Sequence, residues 1–123
     1  RRIISEMAFH ASHDPLTGLV NRREFERRLK SAVAGAHHQG LHHALCYIDL
    51  DRFKIVNDSA GHNAGDELLR QVSTAFKHHI RTRDTLARVG GDEFALLLEN
   101  CPLDTASRIA KALISAIADL QFV

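Results

Sequence analysis

The sequence predicts an α+β domain in which helices pack on a sheet that contains an antiparallel hairpin. An apolar run at residues 44–48 indicates one strand, and runs at residues 85–89 and 93–98 indicate two more on either side of Gly90 and Gly91. Two glycines between strand-like runs are typical of a tight hairpin. Apolar residues recur at helical spacing around these strands, so we expect helices to cover the sheet.

The N-terminal part of the chain predicts two helices separated by a turn. Residues 1–13 are expected to be the end of a linker helix that enters from upstream, and residues 14–18 a turn, because Pro15 fixes φ and Gly18 permits a positive φ. Asn21 is expected to cap the second helix, with Glu24 three residues later. That helix ends near Gly35 or Gly40, and its predicted apolar face carries Phe25, Leu29 and Val33.

The rest of the chain completes the order helix, helix, strand, helix, helix, strand, strand, helix. The strand at residues 44–48 is expected to be buried on both faces and to end at Asp49. A short helix at residues 53–58 and a longer one near residues 62–80 follow, the longer directing inward Leu68, Leu69, Val72, Phe76 and Ile80. Pro102 stands at the start of the last helix, whose apolar face is expected to hold Leu103, Ala106, Ile109, Ala110, Leu113, Ile114 and Ile117.

Composition limits the classes of function. A chain of 123 residues with 45% hydrophobic and 25% charged residues fits one globular domain. The formal net charge of +1 predicts neither a nucleic acid nor an anionic membrane as partner. The two cysteines, Cys46 and Cys101, match neither a disulfide framework nor a zinc spacing, so we expect a reducing cytoplasm. The adjacent histidine pairs at residues 37–38, 42–43 and 78–79 are expected to be solvated surface residues.

Two acidic clusters fall at the ends of predicted strands. Asp49 and Asp51 follow the first strand, and Asp92 and Glu93 stand at the hairpin. Acidic residues often do no more than end strands or solvate turns, but here both clusters belong to one predicted sheet. Carboxylates brought together repel one another, and a divalent cation relieves that repulsion. Because all the ligands are oxygens, Mg²⁺ or Mn²⁺ is expected, completed by phosphates and water.

The segment after Asp51 carries groups that suit a nucleotide. Backbone N–H groups in the turn that follows Asp51 could hold phosphates. Asn57 and Asp66 offer an amide and a carboxylate, which together match the donors and the acceptor on the edge of guanine. Either residue taken alone would more often be a helix cap.

These residues, in this order, resemble the GGDEF domain of diguanylate cyclases. The resemblance covers residues 14–94 and rests on four blocks: Asp14-x-Leu16-Thr17-Gly18-Leu19-x-Asn21-Arg22-Arg23, Asp49-x-Asp51-x-Phe53-Lys54-x-x-Asn57-Asp58, Gly61-His62-x-x-Gly65-Asp66, and Arg88-Val89-Gly90-Gly91-Asp92-Glu93-Phe94. It implies a fold similar to the nucleotide cyclase or polymerase palm. It also implies that residues 14–123 are such a domain without its C-terminal part, which in the family grips the terminal phosphates.

The resemblance implies the condensation of two GTP molecules into cyclic di-GMP and pyrophosphate. Its implied metal ligands are the side chains of Asp49, Asp92 and Glu93 and the backbone carbonyl of Leu50, with Asp92 or Glu93 as the base. The substrate-binding residues that it implies are Phe53 and Lys54 at the phosphates and Asn57 and Asp66 at guanine.

The family resemblance also implies partners. Each copy of the domain holds one GTP, so a second copy must face the first across a two-fold axis. Arg81 and Asp84 form an R-x-x-D sequence just upstream of the hairpin, which in this family marks an inhibitory site for the product. An upstream sensor domain and a downstream phosphodiesterase domain are further implied partners, and the parent protein can be membrane-attached.

Two other functions compete with the cyclase. A domain of this kind that precedes a phosphodiesterase can bind GTP without catalysis and regulate its neighbour. A different palm-like cyclase or polymerase is the third reading, and the guanine-matching Asn57 and Asp66 disfavour it. Incubation with GTP, and with ATP in its place, separates the three.

Overall fold

The computed structural model describes residues 11–50 and 53–120, apart from the side chain of His38. Within them lies one mixed sheet of four strands, in the order β1-β3-β4-β2. The strands are β1 (Val20–Asn21), β2 (Ala44–Asp49), β3 (Thr85–Arg88) and β4 (Glu93–Leu98). β1 runs parallel to β3, whereas β4 is antiparallel to both β3 and β2. The hairpin predicted at Gly90 and Gly91 joins β3 to β4.

The described helices pack on both faces of this sheet, which confirms the predicted α+β class. They are α1 (Arg22–Gln39), α2 (Phe53–Ala60), α3 (His62–Lys77) and α4 (Leu103–Asp119). Ala11 and Ser12 are helical, but His13, the last residue of the predicted linker helix, forms a β-bridge with Val20 instead. Residues 1–10 of that predicted helix lie outside the described residues. No helix in the described ranges is long and apolar enough to span a bilayer.

Strand β1 is an element that the sequence did not predict. Its two residues are too short to show any periodicity, and the strand exists because Val20 and Asn21 pair with Ala87 and Arg88. Asn21 also caps α1 as predicted, since its Oδ1 accepts a hydrogen bond from the Glu24 N–H at 2.9 Å. Gly40, at φ 67°, ends that helix.

The prediction that β2 is buried on both faces is wrong. β2 is an edge strand of the described sheet, and its burial alternates along its length. Ala44, Cys46 and Ile48 pack against the core, whereas Tyr47 on the other face is 68% exposed. Burial on both faces requires cover on both faces, and the sequence of a short apolar run does not reveal whether that cover exists.

Three predicted inward positions on the helices are exposed instead. Val33 on α1 is 59% exposed, and Ala32 takes the buried place beneath Phe25. At about 100° per residue, seven residues return to within about 20° of the starting direction, whereas eight overshoot by about 80°. Leu103 and Ile114 on α4 are likewise exposed, although Ala106 and Leu113 on the same helix are buried.

Two apolar layers hold the helices to the sheet. The larger lies beneath α3 and α4, where the rings of Phe76 and Phe94 meet edge to face with centroids 5.5 Å apart. The smaller lies beneath α1, around Phe25, Ala87 and Ala95. Helices therefore pack on both faces of the sheet. The loop after β2 and the turn between β3 and β4 are left to form a site.

Candidate functional site

The two predicted acidic segments meet at one end of the sheet, on neighbouring strands. Asp49, the last residue of β2, stands directly opposite Glu93, the first residue of β4. Just beyond this pair, the Leu50 N–H donates a hydrogen bond to the Asp92 carbonyl oxygen at 3.1 Å. Opposite residues in an antiparallel pair have Cβ atoms about 4.5–5.5 Å apart. The side chains of Asp49 and Glu93 therefore share one face of the sheet at close range.

The hairpin turn is shaped around the Glu93 side chain. The N–H groups of Val89 and Gly90 both donate to the Glu93 carbonyl oxygen, at 2.9 and 3.3 Å. A Cβ placed on Gly90 would overlap Glu93 Oε1, whereas one on Gly91 would meet open space. Gly90 therefore leaves the room in which the Glu93 carboxylate lies.

Arg88 ties this turn to the point where the chain enters the domain. Its Nε and Nη2 donate to the Gly91 carbonyl oxygen at 3.2 and 3.0 Å. Its Nη1 donates to both carboxylate oxygens of Asp14, at 3.2 and 3.3 Å. Asp14 is itself held by the N–H and hydroxyl of Thr17, at 2.9 and 2.8 Å. The sequence predicted a turn at residues 14–18 and placed Arg88 in the hairpin motif, but it predicted no contact between the two.

The segment predicted to hold phosphates begins α2. Asp51, the second carboxylate of the first acidic cluster, lies outside the described residues. Phe53 is half-buried and Lys54 is exposed at the first turn of α2. The Phe53 N–H donates to the Leu50 carbonyl oxygen at a long 3.4 Å. The N-terminus of α2 thus follows the acidic edge in the sequence. Backbone N–H groups at a helix N-terminus can bind an anion.

The two residues predicted to read guanine are brought together by a helix crossing. Asn57 lies on α2 and Asp66 on α3, and the Asn57 amide lies against Gly65, the residue before Asp66. Asn57 Oδ1 is buried and has no hydrogen-bond partner within the described part of the chain. The turn between the helices depends on Gly61, which adopts φ 91°.

The donor set at the acidic edge fits a hard divalent cation. The carboxylates of Asp49, Asp92 and Glu93 and the carbonyl of Leu50 are all oxygen ligands, which Mg²⁺ and Mn²⁺ prefer. The described residues contain no group of three or more His, Cys, Asp and Glu side chains arranged to hold a metal ion. A magnesium site needs fewer, because one or two carboxylates are usually completed by phosphates and water.

Two hollows flank the acidic edge on opposite faces of the sheet. One, of about 460 Å³, is mainly apolar and lies among β2, α2, α3 and α4, with Asp49 and Leu50 at its rim. The other, of about 190 Å³, lies beside Glu93 on the α1 side and is lined in part by Arg22, Glu26 and Tyr47. Glu93 lines the smaller, polar hollow, whereas Asp49 lines the larger, apolar one.

The predicted product site at Arg81 and Asp84 is a closed ion pair. Arg81 Nη2 donates to Asp84 Oδ1 at 2.8 Å and to the Glu99 carbonyl oxygen at 3.0 Å, and its backbone N–H donates to Asp84 Oδ2 at 2.7 Å. The Asp84 side chain is 0% exposed. Hydrogen bonding to Asp84 raises the pKa of the Arg81 guanidinium above its ordinary value. The guanidinium retains some exposure, whereas the carboxylate has none.

One histidine departs from the predicted solvated surface. His43 Nε2 lies 3.1 Å from the Ala32 carbonyl oxygen, and its Nδ1 accepts a hydrogen bond from the Asn100 N–H at 2.8 Å. His43 therefore joins α1 to the turn after β4. His42, His78 and His79 are exposed, as predicted.

Comparison with known proteins identifies the family. A family model described as "Diguanylate cyclase, GGDEF domain" matches residues 11–123. The chain therefore belongs to the GGDEF family, as its motifs predicted.

Among its relatives is the "Probable diguanylate cyclase DgcE" of Escherichia coli K12, to which the chain is 47% identical over 123 residues. The match covers 100% of this chain and 11% of that protein. The chain is 42% identical over 108 residues to the "Bifunctional diguanylate cyclase/cyclic di-GMP phosphodiesterase MucR" of Pseudomonas aeruginosa, over 88% of this chain and 16% of that protein. The chain thus spans less than a fifth of each of these relatives.

A solved structure shares the fold. The coiled coil and GGDEF domain of DgcB from Caulobacter crescentus, in complex with c-di-GMP, matches with a TM-score of 0.87 and 29% identity. The match covers 92% of this chain and 59% of that one. The predicted similarity to the cyclase palm is thereby confirmed.

Proposed function

We propose that this domain is a diguanylate cyclase, which condenses two GTP molecules into cyclic di-GMP and releases pyrophosphate. The observation that supports this most is the intact acidic edge, in which Asp49 stands opposite Glu93 and Leu50 is hydrogen-bonded to Asp92. If the chain kept only the fold and no function, these neighbouring carboxylates would repel one another with no compensating cation. Membership of the GGDEF family supports cyclase chemistry at this edge.

In this proposal each domain binds one GTP through its own side chains and backbone. Asn57 and Asp66 read the guanine edge, and the backbone N–H groups at Phe53 and Lys54 hold phosphate oxygens. Asp49, Asp92, Glu93 and the Leu50 carbonyl would hold Mg²⁺ or Mn²⁺. When bound, such an ion neutralises charge on the phosphates and acidifies the attacking hydroxyl.

The reaction joins nucleotides held by two copies of the domain. The 3′-oxygen of one GTP forms a bond to the α-phosphorus of the other, and the bond from that phosphorus to the bridging β-oxygen breaks. Pyrophosphate leaves with the bonding electron pair, and Glu93 or Asp92 accepts the hydroxyl proton. A two-fold dimer supplies the second nucleotide and repeats the step in the opposite direction.

The test is to incubate the full-length protein with GTP and Mg²⁺ and to separate the products by chromatography. We expect cyclic di-GMP from the wild type, and a rate lower by roughly 10²–10⁴-fold from Glu93→Gln, which keeps the shape but loses the base. The matched control is Glu67→Gln, because Glu67 is an exposed carboxylate on α3. A wild type that binds GTP but yields no cyclic di-GMP would contradict the cyclase.

A silent GTP-binding module is the second candidate. Similarity to the bifunctional MucR favours a phosphodiesterase neighbour for such a module, although MucR itself is described as a cyclase. There the domain would bind GTP to regulate a neighbouring phosphodiesterase. GTP that raises or lowers hydrolysis of cyclic di-GMP in the full-length protein, without condensation of GTP, would support this function over the first.

Location and regulation follow from the same proposal. We place the domain in the cytoplasm, where GTP is available and where free thiols such as Cys46 and Cys101 persist. Cyclic di-GMP is proposed to bind back at Arg81 and Asp84 as an inhibitor, and an upstream sensor domain to control pairing of the two copies.

A further inference from the structure

Gly65 lies buried where α2 and α3 cross, and a side chain there would displace a predicted site residue. A Cβ placed on Gly65 would overlap Asn57 Oδ1, and would lie 2.8 Å from Asn57 Cγ and 3.4 Å from Nδ2. At five of the seven glycines an added Cβ would meet nothing within 4 Å. The sixth is Gly90, whose added Cβ would overlap Glu93. Both glycines with an obstructed Cβ therefore abut a residue of the candidate site.

Two features of the contact between Gly65 and Asn57 are energetically unfavourable. Glycine inside a helix is less favourable than alanine, and Gly65 is the fourth residue of α3. Its φ lies outside the left-handed region, so alanine could adopt the same backbone conformation. Asn57 Oδ1 is moreover a buried acceptor without a donor among the described residues, which is rare in folded proteins. Such local costs at one contact are typical of a functional site.

We propose that Gly65 is a positioning residue for base recognition, because the absence of a side chain there lets the Asn57 amide pack against α3 beside Asp66. Asn57 Nδ2 and the Asp66 carboxylate then meet one purine edge together, while Oδ1 stays against Gly65. This inference rests on the proposed function and names a residue that determines the selectivity of its nucleotide site. Gly65 contacts no nucleotide itself and acts through Asn57.

The packing part of the proposal is tested by hydrogen exchange of α3 amides in the full-length protein. Gly65→Ala should reduce protection across α3, because its Cβ displaces Asn57. In an Asn57→Ala background the obstruction is gone, and Gly65→Ala should instead increase protection, because alanine favours the helix. Gly35→Ala is the control, since a Cβ there meets open space within α1 and should leave α3 unchanged. The same effect of Gly65→Ala in both backgrounds would overturn the proposal.

The recognition part is tested by calorimetry with unreactive α,β-methylene analogues of GTP and ATP in the presence of Mg²⁺. Gly65→Ala should weaken the GTP analogue by about tenfold, the loss of one good hydrogen bond. The ATP analogue should change less, so the preference for guanine falls. In the Asn57→Ala background, Gly65→Ala should change neither affinity further.

The outcomes separate the two proposals. Binding of the GTP analogue with an unchanged guanine preference in Gly65→Ala, or with additive effects of the two substitutions, would overturn the role of Gly65 alone. A wild type that binds neither analogue would overturn the proposed function and this role together. A purely structural Gly65 would lower the affinities for both analogues in proportion and leave their ratio unchanged.

Discussion

At the scale of single residues, Arg88 links two parts of the chain that are far apart in sequence. Its guanidinium bridges the Gly91 carbonyl in the hairpin turn and the Asp14 carboxylate in the entry turn. The Arg88 and Asp14 side chains are only 18% and 17% exposed, so solvent screens this ion pair less than a surface pair. Arg88 therefore holds the entry turn against the turn that carries Asp92 and Glu93.

We expect Arg88→Gln to lower the free energy of unfolding by about 1–3 kcal/mol, because it removes charge-assisted hydrogen bonds to two partners. The measurement is denaturant unfolding. Arg22→Gln is the matched control, because it breaks an exposed pair with Glu26 at 3.5 Å and should cost less than about 0.5 kcal/mol. Equal effects of the two substitutions would show that Arg88 is not a structural clamp.

Arg81 carries the prediction for product inhibition. Arg81→Ala should weaken cyclic di-GMP binding and relieve inhibition, because it removes the partly exposed cation of the R-x-x-D sequence. Arg83→Ala is the control, since Arg83 is an exposed arginine in the same turn. Calorimetry with cyclic di-GMP is the measurement, on variants whose circular dichroism is native. Unchanged affinity in Arg81→Ala would leave the Arg81–Asp84 pair with a structural role only.

At the scale of elements, the first turn of α1 combines a cap with an ionic cluster. Asn21 caps the helix, and Glu24 accepts hydrogen bonds from Arg27 at 2.6 Å and from Arg28 at 2.8 Å. Those hydrogen bonds, from Arg27 first and then Arg28, lower the pKa of Glu24 from its ordinary 4.5 to about 2. The Glu24 side chain thus forms ion pairs with Arg27 and Arg28. In a capping box it would instead accept a hydrogen bond from the backbone N–H of Asn21.

This lowered pKa predicts how stability responds to acid. The contribution of ionised Glu24 is fully present above pH 4.5 and is lost as the pH falls towards 2, because the unfolded chain takes up the proton first. The denaturant midpoints of wild type and Glu24→Gln should therefore differ at pH 6 and converge near pH 2. Glu26→Gln affects only the exposed pair with Arg22. The difference between its midpoint and that of the wild type should therefore change little between pH 6 and pH 2. A constant difference for Glu24→Gln across this range would refute the assignment.

At the scale of the whole molecule, the proposed chemistry needs two copies. In the proposed reaction one acidic edge holds one nucleotide, so another domain would present the second GTP across a two-fold axis. The rate of cyclic di-GMP formation should therefore rise faster than linearly with the concentration of dilute protein. The measurement is initial rate against protein concentration below the dimer dissociation constant. Strictly linear behaviour there would show that one copy suffices.

Local patterns in the sequence determined most of the elements and the identity of the acidic edge. Helical spacing predicted α3 and α4, paired glycines predicted the hairpin, and Asn21 predicted the start of α1. These features arise from contacts between residues a few positions apart, so they can be recognised in the sequence. The sequence placed Asp49 and Glu93 on strands of one sheet, whereas the register that sets them opposite each other came from the structure.

Tertiary structure alone decided the features that depend on partners distant in sequence. β1 exists because β3 lies beside it, and β2 is exposed on one face because no described element covers it. Arg88 finds Asp14 across 74 positions, and Asn57 finds the space left by Gly65 only because α2 and α3 cross there. No local periodicity encodes such contacts, since they depend on where packing places separate elements.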